Sequence, residues 1–365
     1  MRQLMFDRPG RLAWRDAPAP TLTSAVQALV RPIAVARCDL DAALVGGRAP
    51  FRSRALHLLR DHLPAALGRD RLFRDVPFQG PFAFGHECVA DVIAIGEAVR
   101  TVRAGDRVIV PFQISCGSCE RCGRGVTASC SSVPHGASYG LGRGDWGGVL
   151  ADVLRVPYAD AMLVPAPAGV SPLELASAGD NVADGYRTVA RPLAARPGAP
   201  VLVVGGEAAS VGLYAVAAAR ALAAAEVVYL DHDRQRLAIA ERLGARVVEG
   251  RYRRQPGAFP ITVDASAHPD GLAAAILSTE PGGTCTSVGI YFAARTPFPL
   301  RLAFMNGITF HTGRVAARAL LPEVLTLIAS GQLVPSRVTT LVASWDDAAA
   351  AFLHAGVKVV VQRAR

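Results

Sequence analysis

Hydrophobic and polar positions fall into two textures along the 365-residue chain. In roughly the first 165 residues, β-branched runs are short and broken by Gly and Pro: Ala28 to Val35, Val89 to Ile95, Arg107 to Pro111 and Val149 to Val156. That punctuation predicts an antiparallel, partly barrelled β domain. From Ser171-Pro172, a helix start with Ser as N-cap and Pro at the first helical position, the pattern changes. Apolar strands now alternate with amphipathic helices: Pro200 to Val204, helix Val211 to Leu222, Glu226 to Leu230, helix Arg234 to Leu243, then Arg246 to Val248. This spacing predicts a doubly wound parallel sheet with right-handed crossovers, continued by Ile261 to Asp264 and Thr284 to Gly289. A helix at Leu320 to Ser330 and a strand at Lys358 to Gln362 are expected to rejoin the first domain. The fold class is α/β.

The chemistry is concentrated in the run Cys116-Gly-Ser-Cys119-Glu-Arg-Cys122, which ends at Cys130. The spacing lets one loop bring four thiolates to a single tetrahedral ion, and zinc suits four sulfur ligands in a closed structural site. Disulfides are the alternative. The opening residues Met1 to Pro9 lack the apolar segment of a secretory leader, which points to a reducing, cytoplasmic setting and to metal. Cys38, Cys88 and Cys285 are dispersed.

Composition adds little. The formal net charge is +9, but the basic residues are scattered, without an aromatic-laced block, so no nucleic-acid partner is expected. All are arginine except Lys358, and with the Ala-rich background this is the bias of a GC-rich bacterial genome. Apolar runs are too short to span a bilayer, so no membrane partner is expected either.

Val201-Leu-Val-Val204-Gly205-Gly206-Glu207-Ala-Ala-Ser210-Val211-Gly212 reads as a buried strand, a Gly-rich turn and a helix start, where backbone N–H groups bind pyrophosphate. The turn departs from G-x-G-x-x-G, since Glu207 takes the second glycine's place. Asp231, at the carboxyl end of the next strand, is placed to accept from a ribose diol, which favours NAD over NADP. Asp264 and Gly289 end later strands facing the same crevice.

With these residues in view, the chain resembles the zinc-containing alcohol dehydrogenases of the medium-chain dehydrogenase/reductase superfamily over nearly its full length. The marks are Cys38-Asp-Leu-Asp41, Gly85-His86-Glu87, Gly105-Asp106-Arg107-Val108, the four-cysteine lobe, the modified turn with Asp231, and Val324 to Gly331. The resemblance implies a GroES-like catalytic domain (1–167 and 308–365, with the zinc lobe at 113–133) around a Rossmann domain (168–307). It implies two zinc ions per chain, a homodimer or homotetramer, and an alcohol, aldehyde or ketone substrate. The catalytic zinc would take Cys38, His86 and Asp180, the last as in formaldehyde-dehydrogenase-like members. Asp41 would orient His86, Glu87 would stand by as a transient ligand, and Asp184 and Lys358 would approach the cofactor, Lys358 at its pyrophosphate.

Two features depart from the family. Leu40 and Ala43 stand where the proton relay starts and continues, leaving Asp39, Asp184 or water to carry the proton. Two further readings follow, an NAD(P)H-dependent reductase of C=C or C=N bonds and a catalytically silent, zinc-stabilised NAD-binding protein. An insertion at about 51–79 places Leu56, Leu59, Leu63 and Leu67 on one helical face amid arginines, as a surface helix, as a lid or wall of the substrate cleft, or as an oligomer contact.

Overall fold

The computed structural model describes residues 1–48, 80–252, 256–293 and 295–364; the insertion at about 51–79 lies outside the described residues. Among the described residues the N-terminal part holds eight strands: β1 (Arg2–Arg8), β2 (Arg11–Asp16), β3 (Ala28–Ala36), β4 (Phe82–Ala83), β5 (Glu87–Ile95), β6 (Arg107–Val110), β7 (Leu154–Val156) and β8 (Val164–Pro165). The middle holds β9 (Val201–Val204), β10 (Val227–Asp231), β11 (Arg246–Glu249), β12 (Phe259–Asp264), β13 (Thr279–Ser287) and β14 (Thr309–Thr312). The C-terminal part adds β15 (Thr339–Ser344) and β16 (Lys358–Gln362).

The catalytic sheet runs β15-β16-β3-β5-β6-β8, with β7 also pairing with β3. The C-terminal strand β16 pairs antiparallel with β3, so both ends of the chain contribute to this sheet. Of the run Val149 to Val156, only Leu154–Val156 is strand. The hairpin β1–β2, which the pattern did not call, covers one side and packs Leu4 and Phe6 into the core.

The middle sheet runs β11-β10-β9-β12-β13-β14, all neighbours parallel. Val201–Val204 is buried at every position, as a central strand with helices on both faces must be. Strand β14 joins this sheet, so the unit extends past the boundary drawn at 307. Ser171 caps its helix as expected, accepting from Leu173 N at 3.1 Å, although that helix spans only Pro172–Leu175.

A π-helical turn, Ala178–Val182, leads into helix Ala183–Ala195 at the domain junction. A Cβ on Gly179 would lie 2.8 Å from the Val110 carbonyl oxygen, so only glycine lets the turn press onto β6. That contact aims Asp180 and Asn181 at the catalytic domain, the kind of functional placement π-turns often serve. No helix among the described residues is long and apolar enough to cross a membrane.

Candidate active site

Two groups of metal-ligating side chains form among the described residues. The first is the four-cysteine lobe. Its ligand atoms all lie within 4.8 Å of one another, and the sulfurs of Cys119 and Cys130 are 3.9 Å apart. A tetrahedral ion with sulfur arms of 2.3 Å needs an edge of about 3.8 Å, so the lobe fits zinc. Hydrogen bonds prepare two of the thiolates, while burial raises the Cys122 thiol. Ser131 draws the Cys119 thiol down to about 5, and Ser132 and Ser118 bring Cys116 to about 7 against the opposing effect of burial.

The second group is Cys38, His86, Glu87 and Asp180, all buried, with ligand atoms again within 4.8 Å. Cys38 is the N-cap of helix Asp39–Val45, and its sulfur accepts from Leu40 N at 3.4 Å and Asn181 Nδ2 at 3.2 Å. His86 Nε2 lies 3.2 Å from Asp180 Oδ2, close to the edge of about 3.3 Å for a tetrahedron with nitrogen and oxygen arms near 2.0 Å. Asp41, fully buried, stands 3.3 Å from His86 Nδ1, too poorly aligned for a good hydrogen bond but near enough to leave Nε2 facing the cluster. Burial opposes charge on His86, yet Asp41 and Cys38 outweigh it and raise its pKa. Burial pushes the Cys38 thiol up. The sulfur of Cys38, the imidazole of His86 and the carboxylate of Asp180 converge with little solvent, and that donor set suits zinc.

Lys358 is elsewhere than expected. It is fully buried, and Nζ donates to Glu87 Oε2 at 2.8 Å, Glu87 Oε1 at 3.0 Å and Asn181 Oδ1 at 2.7 Å. Burial alone would lower its pKa, but the Glu87 carboxylate reverses that. The family position near a pyrophosphate does not hold here, because Lys358 neutralises Glu87 inside the core. Removing either partner would strand a buried charge, at a cost of about 3–5 kcal/mol.

Two cavities, of about 370 and 490 Å³, flank the junction, and Asp39 and Glu207 line both. The smaller is bordered by Gly206, Asp233, Gln235 and Arg236, and the larger by Cys38, His86, Asp180, Asp184, Val211 and Gly289. Gly205 packs so closely that a Cβ would meet Asp231 Oδ2 at 2.4 Å. Ser210, Val211 and Gly212 form the first turn of helix Ala209–Ala221, as the sequence anticipated.

Asp231 corrects the ribose argument. It is fully buried, and its carboxylate accepts from Arg236 Nε and Nη2 (2.7 Å each), Tyr229 Oη (2.9 Å), His232 N (2.7 Å) and Asp233 N (3.1 Å). Those partners hold its pKa below the usual range against burial. With its lone pairs committed and its charge matched by Arg236, it neither offers a ribose acceptor nor repels a 2′-phosphate. Asp264 is likewise spent inside, accepting from Ser266, Ser287 and Tyr291.

Comparisons with known proteins agree with this geometry. The alcohol dehydrogenase GroES-like domain matches residues 24–168, and the zinc-binding dehydrogenase domain matches residues 210–330. A protein named "Probable zinc-binding alcohol dehydrogenase Rv1895", from Mycobacterium tuberculosis, is 30% identical over 288 residues, 77% of this chain and 73% of the relative. This chain belongs to the zinc-containing alcohol dehydrogenases of the medium-chain superfamily. The glutathione-independent formaldehyde dehydrogenase of Pseudomonas aeruginosa is 36% identical over 173 residues, covering 45% of this chain and 43% of that one. Among solved structures, the alcohol dehydrogenase TADH from Thermus sp. ATN1 superposes with a TM-score of 0.84 at 29% identity, covering all of both chains.

Within this dehydrogenase, sequence reasoning passed over Asn181 and considered Asp39 only as a proton carrier. Asn181 joins Cys38 and Asp180 to Lys358 and Ser210. Asp39 reaches across the junction: its carboxylate accepts from Ser210 N (3.0 and 3.1 Å) and Val211 N (3.2 Å), with Ser210 Oγ at 3.0 Å. It thus occupies the helix N-terminus expected to receive phosphate. The signal was an acidic residue directly after a cysteine ligand, visible in the sequence, but its partner lies 171 positions away.

Proposed function

We propose that this dehydrogenase transfers hydride between an alcohol or carbonyl substrate and a nicotinamide dinucleotide, with zinc at Cys38, His86 and Asp180. The convergence of those three side chains at the wall of the 490 Å³ cavity carries the reading. Bound there, zinc supplies Lewis-acid polarisation of the substrate oxygen, and the nicotinamide gives or takes the hydride. Asp41 keeps His86 oriented, and Lys358 holds Glu87 in reserve beside the cluster.

Leu40 and Ala43 both line the cavity and cannot pass a proton. Asp184 is on the same wall, and burial raises its pKa to about 6, opposed by Arg187 and reinforced by Asp180 and Asp39. Arg187 donates to it at 2.5 Å. Asp184 is therefore proposed as the proton acceptor in alcohol oxidation. It must be ionised to accept, so oxidation should fall as pH drops below about 6 and reduction should fall as pH rises above it. Asp184→Asn should flatten both limbs, and limbs unchanged in the variant would assign the proton to water.

The aliphatic Leu40 and Ala43 also favour a second reading, reduction of C=C or C=N bonds. A panel of alcohols with NAD and NADP, set against enones and imines with the reduced cofactors, separates the readings. Turnover of alcohols supports the first, turnover of enones or imines alone supports the second, and cofactor binding without either supports the silent protein. With Asp231 tied to Arg236, the basis for preferring NAD is gone, and both cofactors belong in the assay. A homo-oligomer is supported by Leu300, Phe304 and Met305, which are 69%, 80% and 70% exposed on one short helix near edge strand β14. A monomer in solution would remove that part.

A further inference from the structure

We propose that the substrate carries an anionic group, a carboxylate or a phosphate ester, that docks between Arg143 and Arg314 while its reacting end reaches Cys38, His86 and Asp180. The inference rests on the hydride-transfer reading and adds the substrate class. It starts from the lining of the larger cavity, which is divided by character. Leu40, Phe112, Leu141, Ile290 and Phe292 form an apolar wall, while Arg143, Arg314 and His135 bring basic groups to the same space.

The two guanidiniums are unanswered. Among the described residues, no carboxylate lies within salt-bridge distance of either, although Arg107, Arg187, Arg236 and Arg363 all pair with acids. Arg314 Nη1 donates to the Ala128 carbonyl at 3.2 Å, which fixes the side chain without neutralising it. Arg143 packs against Gly136, where a Cβ would meet Nη1 at 2.7 Å. The cavity's own acids are committed: Asp184 to Arg187, Asp180 to His86, Asp39 to the helix at Ser210, and Glu207 to Arg48. Burial, and then the charge of Arg143, lower the Arg314 pKa, while Asp180 raises it. Arg314 is thus within electrostatic reach of both its twin and the metal-ligating cluster.

Two like charges held on one concave surface, with no counter-ion among the described residues, are complementary to an anion able to accept from both. The apolar wall suits a carbon body between the anion and the reacting carbon–oxygen group. A neutral alcohol of the same shape would answer neither guanidinium and would forgo the charge-assisted hydrogen bonds that an anion makes to them.

The test sets charged against neutral substrates on zinc-loaded enzyme: 4-(hydroxymethyl)benzoate and 4-(hydroxymethyl)phenyl phosphate against 4-(hydroxymethyl)benzamide, the neutral isostere of the first. An anionic member should be favoured by roughly 10- to 100-fold in kcat/KM, mostly through KM. The better of the two anions identifies the group. Arg143→Gln should erase the preference and Arg143→Lys should keep part of it, since Arg143 makes no hydrogen bond that the fold needs. Calorimetric titration gives a readout without turnover: benzoate or phenyl phosphate should bind the wild type, bind Arg143→Gln at least tenfold more weakly, and outcompete benzamide. Equal turnover of charged and neutral members, or anion binding unchanged in Arg143→Gln, overturns the inference while leaving hydride transfer intact. Arg143-dependent anion binding with no turnover of any member upholds the anion site and defeats the hydride-transfer reading.

Discussion

Replacing His86 by Ala should lower kcat/KM by at least about 10³-fold and reduce bound zinc from roughly two ions per chain to one. The magnitude follows from the cluster's charge. Cys38, Asp180 and Glu87 are buried together, and His86 Nε2 is the neutral donor that turns a set of acids into a metal site. Without it the cation loses one arm, and the oxygen of the substrate loses several kcal/mol of polarisation in the reaction. The four-cysteine lobe is separate in the chain and in its ligands, so its zinc should stay, giving metal analysis an internal standard. Asp41→Asn offers a graded comparison. It leaves all ligand atoms in place but removes the carboxylate 3.3 Å from His86 Nδ1, and should weaken metal affinity by about 10- to 100-fold. Full zinc content and activity in His86→Ala would mean that Cys38, Asp180 and Glu87 are a structural acid cluster and that the chemistry lies elsewhere.

Legibility in the sequence tracked how local each cause is. The zinc lobe was readable because its four ligands fall within fifteen residues, so spacing alone limits the geometry. Strand–helix alternation from Val201 onward was readable because the central strands β9 and β10 are nearly continuous apolar runs, and β16 was read to the residue. The run Val149 to Val156 misled because its apolar residues are core contacts of an irregular loop: Leu150 is buried and bonded to Phe84 and Leu4 without joining a ladder. The failures at Asp231 and Lys358 share a physical reason. Pattern places a charged side chain at a strand end, but not its counter-ion, and Arg236 and Glu87 respectively claimed the charges. Arg143 and Arg314 were invisible as a pair, being 171 positions apart and unmarked by any local motif.

Asp39→Asn should tighten binding of NADH or NADPH by about 5- to 150-fold, corresponding to about 1–3 kcal/mol of relieved competition and repulsion. The two cavities meet at Asp39 and Glu207, so a dinucleotide laid across them puts its doubly charged pyrophosphate at this partition. There the N–H groups of Ser210 and Val211 already serve the Asp39 carboxylate, and Arg48 answers Glu207 at 3.0 Å. A phosphate must displace an anion that holds the same donors and does so without losing translational freedom. The amide keeps an acceptor for one donor but removes the charge, whereas Asp39→Gly removes the contact altogether and should approach the same affinity. Burial raises the Asp39 pKa, so in the wild type a fall in pH protonates it and should strengthen cofactor binding. Lys358, Ser210 and Val211 oppose that shift. The pH dependence should vanish in Asp39→Asn, where nothing at that position titrates. Titrating cofactor fluorescence in wild type and both variants between neutral and mildly acidic pH checks the pair of effects. Affinity that is unchanged or weaker in both variants, with the same pH slope as wild type, would make Asp39 a latch between domains and move the phosphates off the helix at Ser210.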